Sequence, residues 1–229
     1  MATSGSKNFE LDVAEYIEEA YERCGLEMRT SYDARTIKRS LNILLADWAN
    51  RGLNQWTIQQ NSISMTEGTL SYDLDSTNPT AVIDVLDAFL RRTVNSTDTD
   101  YTMQRIGRAE YANIPNKETK ARPIQIFVDK QITPKMYVWP APENSTDVIH
   151  VNCLTRMDDA DTLTNTVEMP FRFYPALAAG LAYYLCLKKA PERMEMLKGI
   201  YEEEFRKAAD TDEDRASVKI APALRSYTS

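Results

Sequence analysis

From about residue 10 to residue 52, apolar side chains recur at the three- and four-residue spacing of amphipathic helices. Asp12 and Glu15 have the spacing of a capping box, and Gly25 is a typical C-cap, so the first helix is predicted between them. A second helix is predicted to begin near Asp33 and to end at Gly52. The apolar stripes are Val13, Ile17, Ala20, Tyr21 and Cys24 in the first helix, and Ile37, Leu41, Leu44, Leu45 and Trp48 in the second. Because each helix has only one apolar stripe, the pair needs a further element to cover it.

The alternation of apolar and polar residues changes to the two-residue period of strands from Gln55 onward. Residues 70–74 follow a turn at Glu67 and Gly68, so they are predicted to form a hairpin with the strand before them. The alternation changes phase near Gln60 and Asn61, which indicates a bulge or a kink there. Further strands are predicted over residues 82–91, 101–106, 124–128, 136–139 and 148–154. The pattern of residues 82–91 also fits a helix, but its β-branched residues favour a strand, and such short strands indicate an antiparallel sheet or small sandwich.

Helical spacing returns after Pro170 and Pro175. Residues 174–190 are apolar almost all round, which predicts the central helix of a bundle, and Pro191 suits the first turn of another helix. The predicted stripe of that last helix is Met194, Leu197, Tyr201, Phe205 and Ala208. The chain is therefore predicted to be α+β. The N- and C-terminal helix pairs (about residues 10–52 and 171–209) are predicted to form a helical bundle, with an antiparallel β region (about residues 55–157) inserted between them in the chain, and residues 1–209 form one unit.

Residues 210–229 have no pattern that would fold them onto themselves, and we expect an extended C-terminal arm. The front half is dominated by acids, which favours solvation. The apolar positions of the back half are Val218, Ile220, Leu224 and Tyr227. Pro222 prevents a helix through this point, so the arm can add to a partner's sheet edge or lie in its groove. A frayed terminus is the alternative interpretation.

The composition limits the possible functions. The formal net charge is −7, whereas proteins that bind nucleic acid by bulk electrostatics are usually basic. The three cysteines (Cys24, Cys153 and Cys186) are far apart, which indicates reduced and buried thiols in a cytosolic setting. The uncharged run of residues 173–187 is shorter than the roughly 20 residues that cross a bilayer, so we expect no membrane association.

The sequence offers no catalytic, cofactor-binding or metal-binding constellation, and we expect no enzyme and no cofactor. It has one histidine, His150, and none of the phosphate-loop, dinucleotide or zinc-protease motifs. The acids at residues 202–204 and 158–161 are interpreted as solvated surface rather than as a carboxylate pair or cation site. Lys117, Lys120 and Arg122 form the basic run best suited to a DNA or partner contact.

Three features together resemble the head-to-tail adaptor, or head-completion, proteins of short-tailed bacteriophages. They are the Ala121–Arg122–Pro123 step into a strand, the strand end at residues 138–142, and the apolar helix that leads through residues 202–214 into a short arm. The resemblance covers residues 11–223 and includes the order of helices, β insertion and helices.

The resemblance implies a structural virion protein that forms a dodecameric ring between portal and tail, where it extends the DNA channel, retains packaged DNA and takes part in DNA ejection. The implied partners are the portal protein, a tail tube or nozzle protein and further copies of the chain, twelve in all. Genomic DNA would pass through the lumen without sequence-specific binding. The implied location is the portal–tail junction of the virion, with assembly in the host cytoplasm. In this family the arm reaches the portal, a role that would fall to Val218, Ile220, Pro222, Leu224 and Tyr227. The alternatives are a carboxylate-based hydrolase and a nucleic-acid-binding accessory protein.

Overall fold

The computed structural model describes residues 5–6, 8–27, 31–52, 55–74 and 82–212 of the 229-residue chain. Its long helices are α1 (Val13–Cys24), α2 (Ser31–Arg51), α4 (Tyr174–Lys189) and α5 (Met194–Asp212), and a short helix, α3, spans Arg108–Ala112. The strands are β1 (Ile58–Ser64), β2 (Ser71–Asp73), β3 (Val82–Val94), β4 (Thr97–Thr102), β5 (Gln104–Arg105), β6 (Gln125–Asp129), β7 (Lys135–Trp139) and β8 (Val148–Thr155). The four long helices form a bundle, and the strands lie between α2 and α4 in the chain. The α+β prediction is confirmed.

Helix α1 begins and ends where its capping residues predict. The Asp12 carboxylate accepts a hydrogen bond from the Glu15 amide at 2.8 Å, and the Glu15 carboxylate accepts one from the Asp12 amide at 2.9 Å. Gly25 has a φ of 67°, and its amide donates to the Glu22 carbonyl oxygen at 2.8 Å. These bonds satisfy polar backbone groups that the two ends of a helix leave unpaired.

The bundle core lies around α4. Gly180 lies where α4 packs tightly against α2 and α5, since a Cβ atom there would lie 2.8 Å from the Tyr201 ring and 2.9 Å from a methyl group of Leu44. Trp48 Nε1 donates to the Tyr201 hydroxyl at 2.8 Å within this core. The predicted stripe of α2 is buried throughout. Apolar packing on three sides explains why α4 has no polar face.

The β region is a sandwich of two four-stranded sheets with strand orders β1–β8–β3–β4 and β2–β7–β6–β5. Its interior is a second hydrophobic cluster: Ile63, Met65, Leu74, Val82, Val85, Ala88, Leu90, Met103, Ile126, Val128, Met136, Val138, Ile149, Val151 and Cys153. All pairs are antiparallel except β5 with β6, which is parallel. The predicted strand at residues 82–91 is confirmed as β3, whereas the strand predicted at residues 101–106 is two strands in different sheets. The chain crosses between the sheets at the buried Met103.

The hairpin predicted at residues 70–74 is wrong. Strand β1 pairs with β8 and β2 pairs with β7, so the two segments lie in opposite sheets. A bulge near Gln60 and Asn61 is also wrong, because the β1–β8 register is continuous, whereas a kink there remains a prediction. The apolar phase changes there because Trp56 packs in the bundle core, whereas Ile63 and Met65 face the sandwich core.

The bundle and the sandwich meet where the chain enters and leaves the β region. The Thr155 hydroxyl donates to the Thr57 carbonyl oxygen at 2.8 Å, and the Trp56 ring lies 4.5 Å from that of Phe173. The Asp212 carboxylate accepts a hydrogen bond from the Gln55 amide at 3.0 Å and forms an ion pair with Arg172. Helix α5 therefore continues to Asp212, so residues 210–212 belong to the helix and not to the arm. The rest of the predicted arm, residues 213–229, lies outside the described residues.

All three cysteines are buried and unbridged, as predicted. Among the described residues, no helix is long and apolar enough to span a membrane.

Candidate functional site

The residues predicted to grip a portal, Val218, Ile220, Pro222, Leu224 and Tyr227, lie outside the described residues. The structure does define the point from which they depart. Asp212 is the last residue of α5, and its side chain is only 5% exposed because it contacts Arg172 and the Gln55 amide. Asp212, to which the arm is attached, therefore lies beside the start of α4, at the junction of bundle and sandwich.

The predicted basic contact residues are each engaged within the chain. The Lys117 ammonium donates to the carbonyl oxygens of Ala112 at 3.2 Å and Ile114 at 3.1 Å. Lys120 pairs with Glu67 at 2.8 Å, and the Arg122 guanidinium lies 4.0 Å from the centre of the Tyr101 ring. The three side chains thus hold a loop in place, and their role as a DNA or partner contact stays a prediction.

Two of the three features that carry the resemblance, residues 121–123 and the strand end at residues 138–142, lie side by side in the structure. The Ala121 amide donates to the Ala141 carbonyl oxygen at 2.9 Å, and the Ala141 amide donates to Thr119 at 2.9 Å. Trp139 Nε1 donates to the Asn116 carbonyl oxygen at 3.1 Å. The loop that bears the basic run is therefore fastened to the end of β7.

Of the groups that suggested other chemistry, His150 and the glutamates at residues 202–204 are in structural contacts. His150 stacks on Phe89 at 4.9 Å and bonds with the Ser62 hydroxyl at 2.9 Å. Glu202 forms two hydrogen bonds with Arg51, at 2.9 and 3.1 Å, while Glu203 and Glu204 share Lys207. Asp158, Asp159 and Asp161 line an open depression of about 670 Å³. Within the part of the chain that the structure describes, no group of three or more His, Cys, Asp or Glu residues could hold a metal ion.

A groove of about 450 Å³ lies between the N-terminal segment, α1 and the start of α4. We call it the acidic groove. Its apolar surface comes from Phe9, Leu11, Tyr174, Pro175 and Ala178, and its charged rim from Glu15, Glu18, Glu19, Glu22 and Arg23. Phe9 is 72% exposed, so a large apolar side chain at this groove is in contact with water.

The charges of the acidic groove are only partly compensated. Glu19 pairs with Arg23 at 2.7 Å, and the Glu15 carboxylate caps α1. Glu18 and Glu22 have no ion-pair partner among the residues that the structure describes. Burial raises the pKa of Tyr174, and the nearby charge of Glu10 raises it further. The groove therefore combines apolar surface with excess negative charge.

Sequence reasoning missed both the Arg172–Asp212 contact and the acidic groove. The pair joins residues 40 positions apart in the chain, and nothing in the local pattern couples them. One part of the groove can be recognised in the sequence, because Glu15, Glu18, Glu19 and Glu22 have the spacing of one helix face. That spacing did not reveal the apolar surface, which α4 supplies from the other end of the sequence.

Comparison with known proteins identifies one family. Residues 11–225 match the family described as SU10 adaptor protein. No curated protein matches the chain. The matched region includes the four long helices, the sandwich and most of the segment after α5. The chain therefore belongs to the SU10 adaptor protein family and is a structural adaptor protein of a bacteriophage virion.

Proposed function

We propose that the protein forms a dodecameric ring between the portal and the tail of a short-tailed phage, extends the DNA channel and retains packaged DNA. The observation that carries this proposal is the family match, which continues past α5 to residue 225. Membership in an adaptor family implies contact with portal and tail components. The proposed partners are the portal protein, a tail tube or nozzle protein and eleven further copies of the chain.

The charge of the chain supports a channel that DNA passes without sequence-specific binding. A formal charge of −7 disfavours the retention of phosphate, whereas each basic contact would add a salt-dependent attraction through counterion release. Lys120 is exposed and Arg91 is partly exposed, but they are already paired with Glu67 and Asp100. A ring of such subunits would let DNA move during ejection.

The C-terminal arm is the proposed grip on the portal. Val218, Ile220 and Leu224 would each contribute on the order of 1.5–3 kcal/mol on burial, less the cost of ordering the chain. A single arm would therefore bind weakly. Twelve arms in a closed ring would hold firmly, because every arm after the first binds at high effective concentration.

Native mass spectrometry of the protein mixed with isolated portal rings tests this proposal. We expect the full chain to add to a portal in twelve copies, and a chain lacking residues 216–229 to bind weakly or not at all. Circular dichroism should show that the shortened chain keeps its helices and strands. Undiminished binding of a folded, shortened chain would show that the arm is not the grip, and a complex of another stoichiometry would contradict the twelve-fold ring.

A matched pair of substitutions makes the test specific. Ile220→Asp places a charge at an apolar position of the arm, whereas Ser226→Asp adds the same charge at a polar one. We expect the first to weaken portal binding at least tenfold, since burying a carboxylate costs more than the roughly 1.4 kcal/mol that a tenfold change represents. The second should leave binding within about threefold of the unmodified chain, which is less than 0.7 kcal/mol.

A further inference from the structure

We propose that, in the isolated subunit, the acidic groove is the docking site of the chain's own C-terminal segment, residues 215–225. The segment binds through its apolar and basic side chains together. This inference concerns the free protein and does not depend on the ring or on the portal.

The acidic groove requires an occupant that is both apolar and positively charged. Its surface includes Tyr174, Pro175 and the exposed Phe9, apolar groups whose contact with water is unfavourable. On its rim, the carboxylates of Glu18 and Glu22 lack an ion-pair partner among the described residues. An occupant without positive charge would leave these carboxylates beside a surface from which it displaces water, which is unfavourable.

Residues 215–225 have the complementary chemistry. The segment contains Arg215, Lys219 and Arg225 and no acidic residue. Its apolar residues Val218, Ile220 and Leu224 are separated by polar or small ones, and Pro222 excludes a helix. Extended chains with this alternation bind in grooves by placing apolar side chains against the floor and charged ones along the rim.

The segment begins close to the acidic groove. Helix α5 ends at Asp212, which contacts Arg172, and Arg172 precedes the groove residue Tyr174 by two positions. Two linking residues, Glu213 and Asp214, can span up to about 7 Å when extended, and the next four add about 13 Å. Val218 and Ile220 are thus within reach of the groove. A tether this short gives an effective concentration on the order of millimolar, which favours the chain's own segment over that of a second copy.

Docking in the free subunit would cover apolar side chains on both partners. It would remove Phe9 and Tyr174 from water, together with Val218 and Ile220 of the segment. The isolated subunit would thereby expose less apolar surface that promotes association.

Paramagnetic relaxation enhancement in the full chain measures this contact. A nitroxide attached at Ser226→Cys lies just beyond the segment, and the three native cysteines are buried and do not compete for labelling. We expect strong broadening of the amide signals of Glu18, Glu22 and Ala178, and none at the β3–β4 turn (residues 94–97), which lies at the end of β3 away from the junction. Weak broadening spread evenly over the surface would overturn the proposal.

A second sample identifies which chain supplies the segment. It mixes nitroxide-labelled protein without ¹⁵N with ¹⁵N-enriched protein that carries no nitroxide. Docking within one chain predicts no broadening in that mixture. Broadening there would assign the groove to the segment of a second copy and would likewise overturn the proposal.

Charge reversal tests the recognition. Glu18→Lys together with Glu22→Lys should reduce the docked population about tenfold, as expected for the loss of two partly exposed ion pairs and their replacement by repulsion. Adding Lys219→Glu and Arg225→Glu to that variant should restore the broadening. The control is Glu118→Lys with Asp158→Lys, which changes the net charge equally at two exposed carboxylates without ion-pair partners among the described residues. Equal loss in the control, or no rescue by the second reversal, would refute specific docking.

Discussion

Tyr16 and Tyr201 are both buried in the bundle core, but they differ in one hydrogen bond. The Tyr201 hydroxyl accepts a hydrogen bond from Trp48 Nε1 at 2.8 Å. The Tyr16 hydroxyl is buried and has no hydrogen-bond partner among the described residues. Burial raises the pKa of both side chains, so both hydroxyls remain protonated at neutral pH. The difference in pairing predicts opposite effects when each hydroxyl is removed.

We expect Tyr201→Phe to lower the free energy of unfolding by about 1–3 kcal/mol, because it leaves the buried Trp48 N–H unpaired. Tyr16→Phe removes an unpaired hydroxyl and should leave stability unchanged or raise it by up to about 1 kcal/mol. Urea unfolding followed by circular dichroism measures both values. A larger loss for Tyr16→Phe than for Tyr201→Phe would contradict the assignment of these contacts.

Asp212 joins the last helix to the start of the β region through one carboxylate. Asp212→Ala leaves the Gln55 amide and the partly buried Arg172 without their acceptor, so we expect a loss of about 2–3 kcal/mol in the free energy of unfolding. Asp212→Asn is the matched control, since its amide oxygen still accepts from Gln55. It should cost less than half as much in the same urea titration. Equal losses would show that the charge of Asp212, rather than the acceptor, holds the junction.

At the scale of the elements, the two glycines of α4 and α5 have different surroundings. A Cβ atom at Gly180 would lie 2.8 Å from the Tyr201 ring and 2.9 Å from Leu44, while a Cβ atom at Gly199 would have no neighbour within 4 Å. The close packing of α4 against α2 and α5 therefore depends on Gly180. Gly199 lies on the exposed face of α5 and has no such role.

Alanine at each glycine separates helix propensity from packing. Gly180→Ala should destabilise the protein by about 1–3 kcal/mol, because the added methyl group forces the helices apart. Gly199→Ala should stabilise it by about 0.5–1 kcal/mol, because glycine is the poorer helix former. Thermal unfolding at matched concentration compares the two variants. A stabilising Gly180→Ala would mean that the helices pack less closely than the structure shows.

The elements also show how far local patterns predict structure. The stripe of α2 and both caps of α1 were predicted correctly, because they depend on residues three or four apart. The pairing of β1 and β2 was predicted wrongly, because alternation shows which face of a strand is buried but not which strand lies beside it. Two functional roles remain predictions. One is portal contact by Val218, Ile220, Pro222, Leu224 and Tyr227, and the other is DNA or partner contact by Lys117, Lys120 and Arg122.

At the scale of the whole molecule, two hydrophobic clusters are joined by a short junction. One cluster lies among the long helices and the other lies between the two sheets. Thr57 and Thr155 connect the strands at the junction, and Trp56 inserts into the bundle core. Two clusters joined in this way unfold together if residues 1–209 fold as one unit, as predicted, and separately if they do not.

The three tryptophans report on the two clusters separately. Trp48 and Trp56 lie in the bundle, whereas Trp139 lies in β7 of the sandwich. A Trp139→Phe variant leaves fluorescence only in the bundle, and a Trp48→Phe, Trp56→Phe double variant leaves it only in the sandwich. In each variant we expect fluorescence and circular dichroism to change at the same urea concentration, since a single cooperative unit unfolds in one transition. Fluorescence and circular dichroism transitions that separate within one variant would show two independently unfolding parts.

The sequence by itself determined the bounds of the N-terminal helices, the buried stripe of each of these two helices, the α+β class and the resemblance to phage adaptors. These properties follow from side-chain periodicity, capping residues and motifs, which are local in the chain. Only the tertiary structure decided that the strands form two sheets, that Asp212 holds the junction, and that apolar residues of α4 meet the glutamates of α1 in one groove. Each of these depends on contacts between residues far apart in the chain. Such contacts are selected by the free energy of the whole fold, and local periodicity does not encode them.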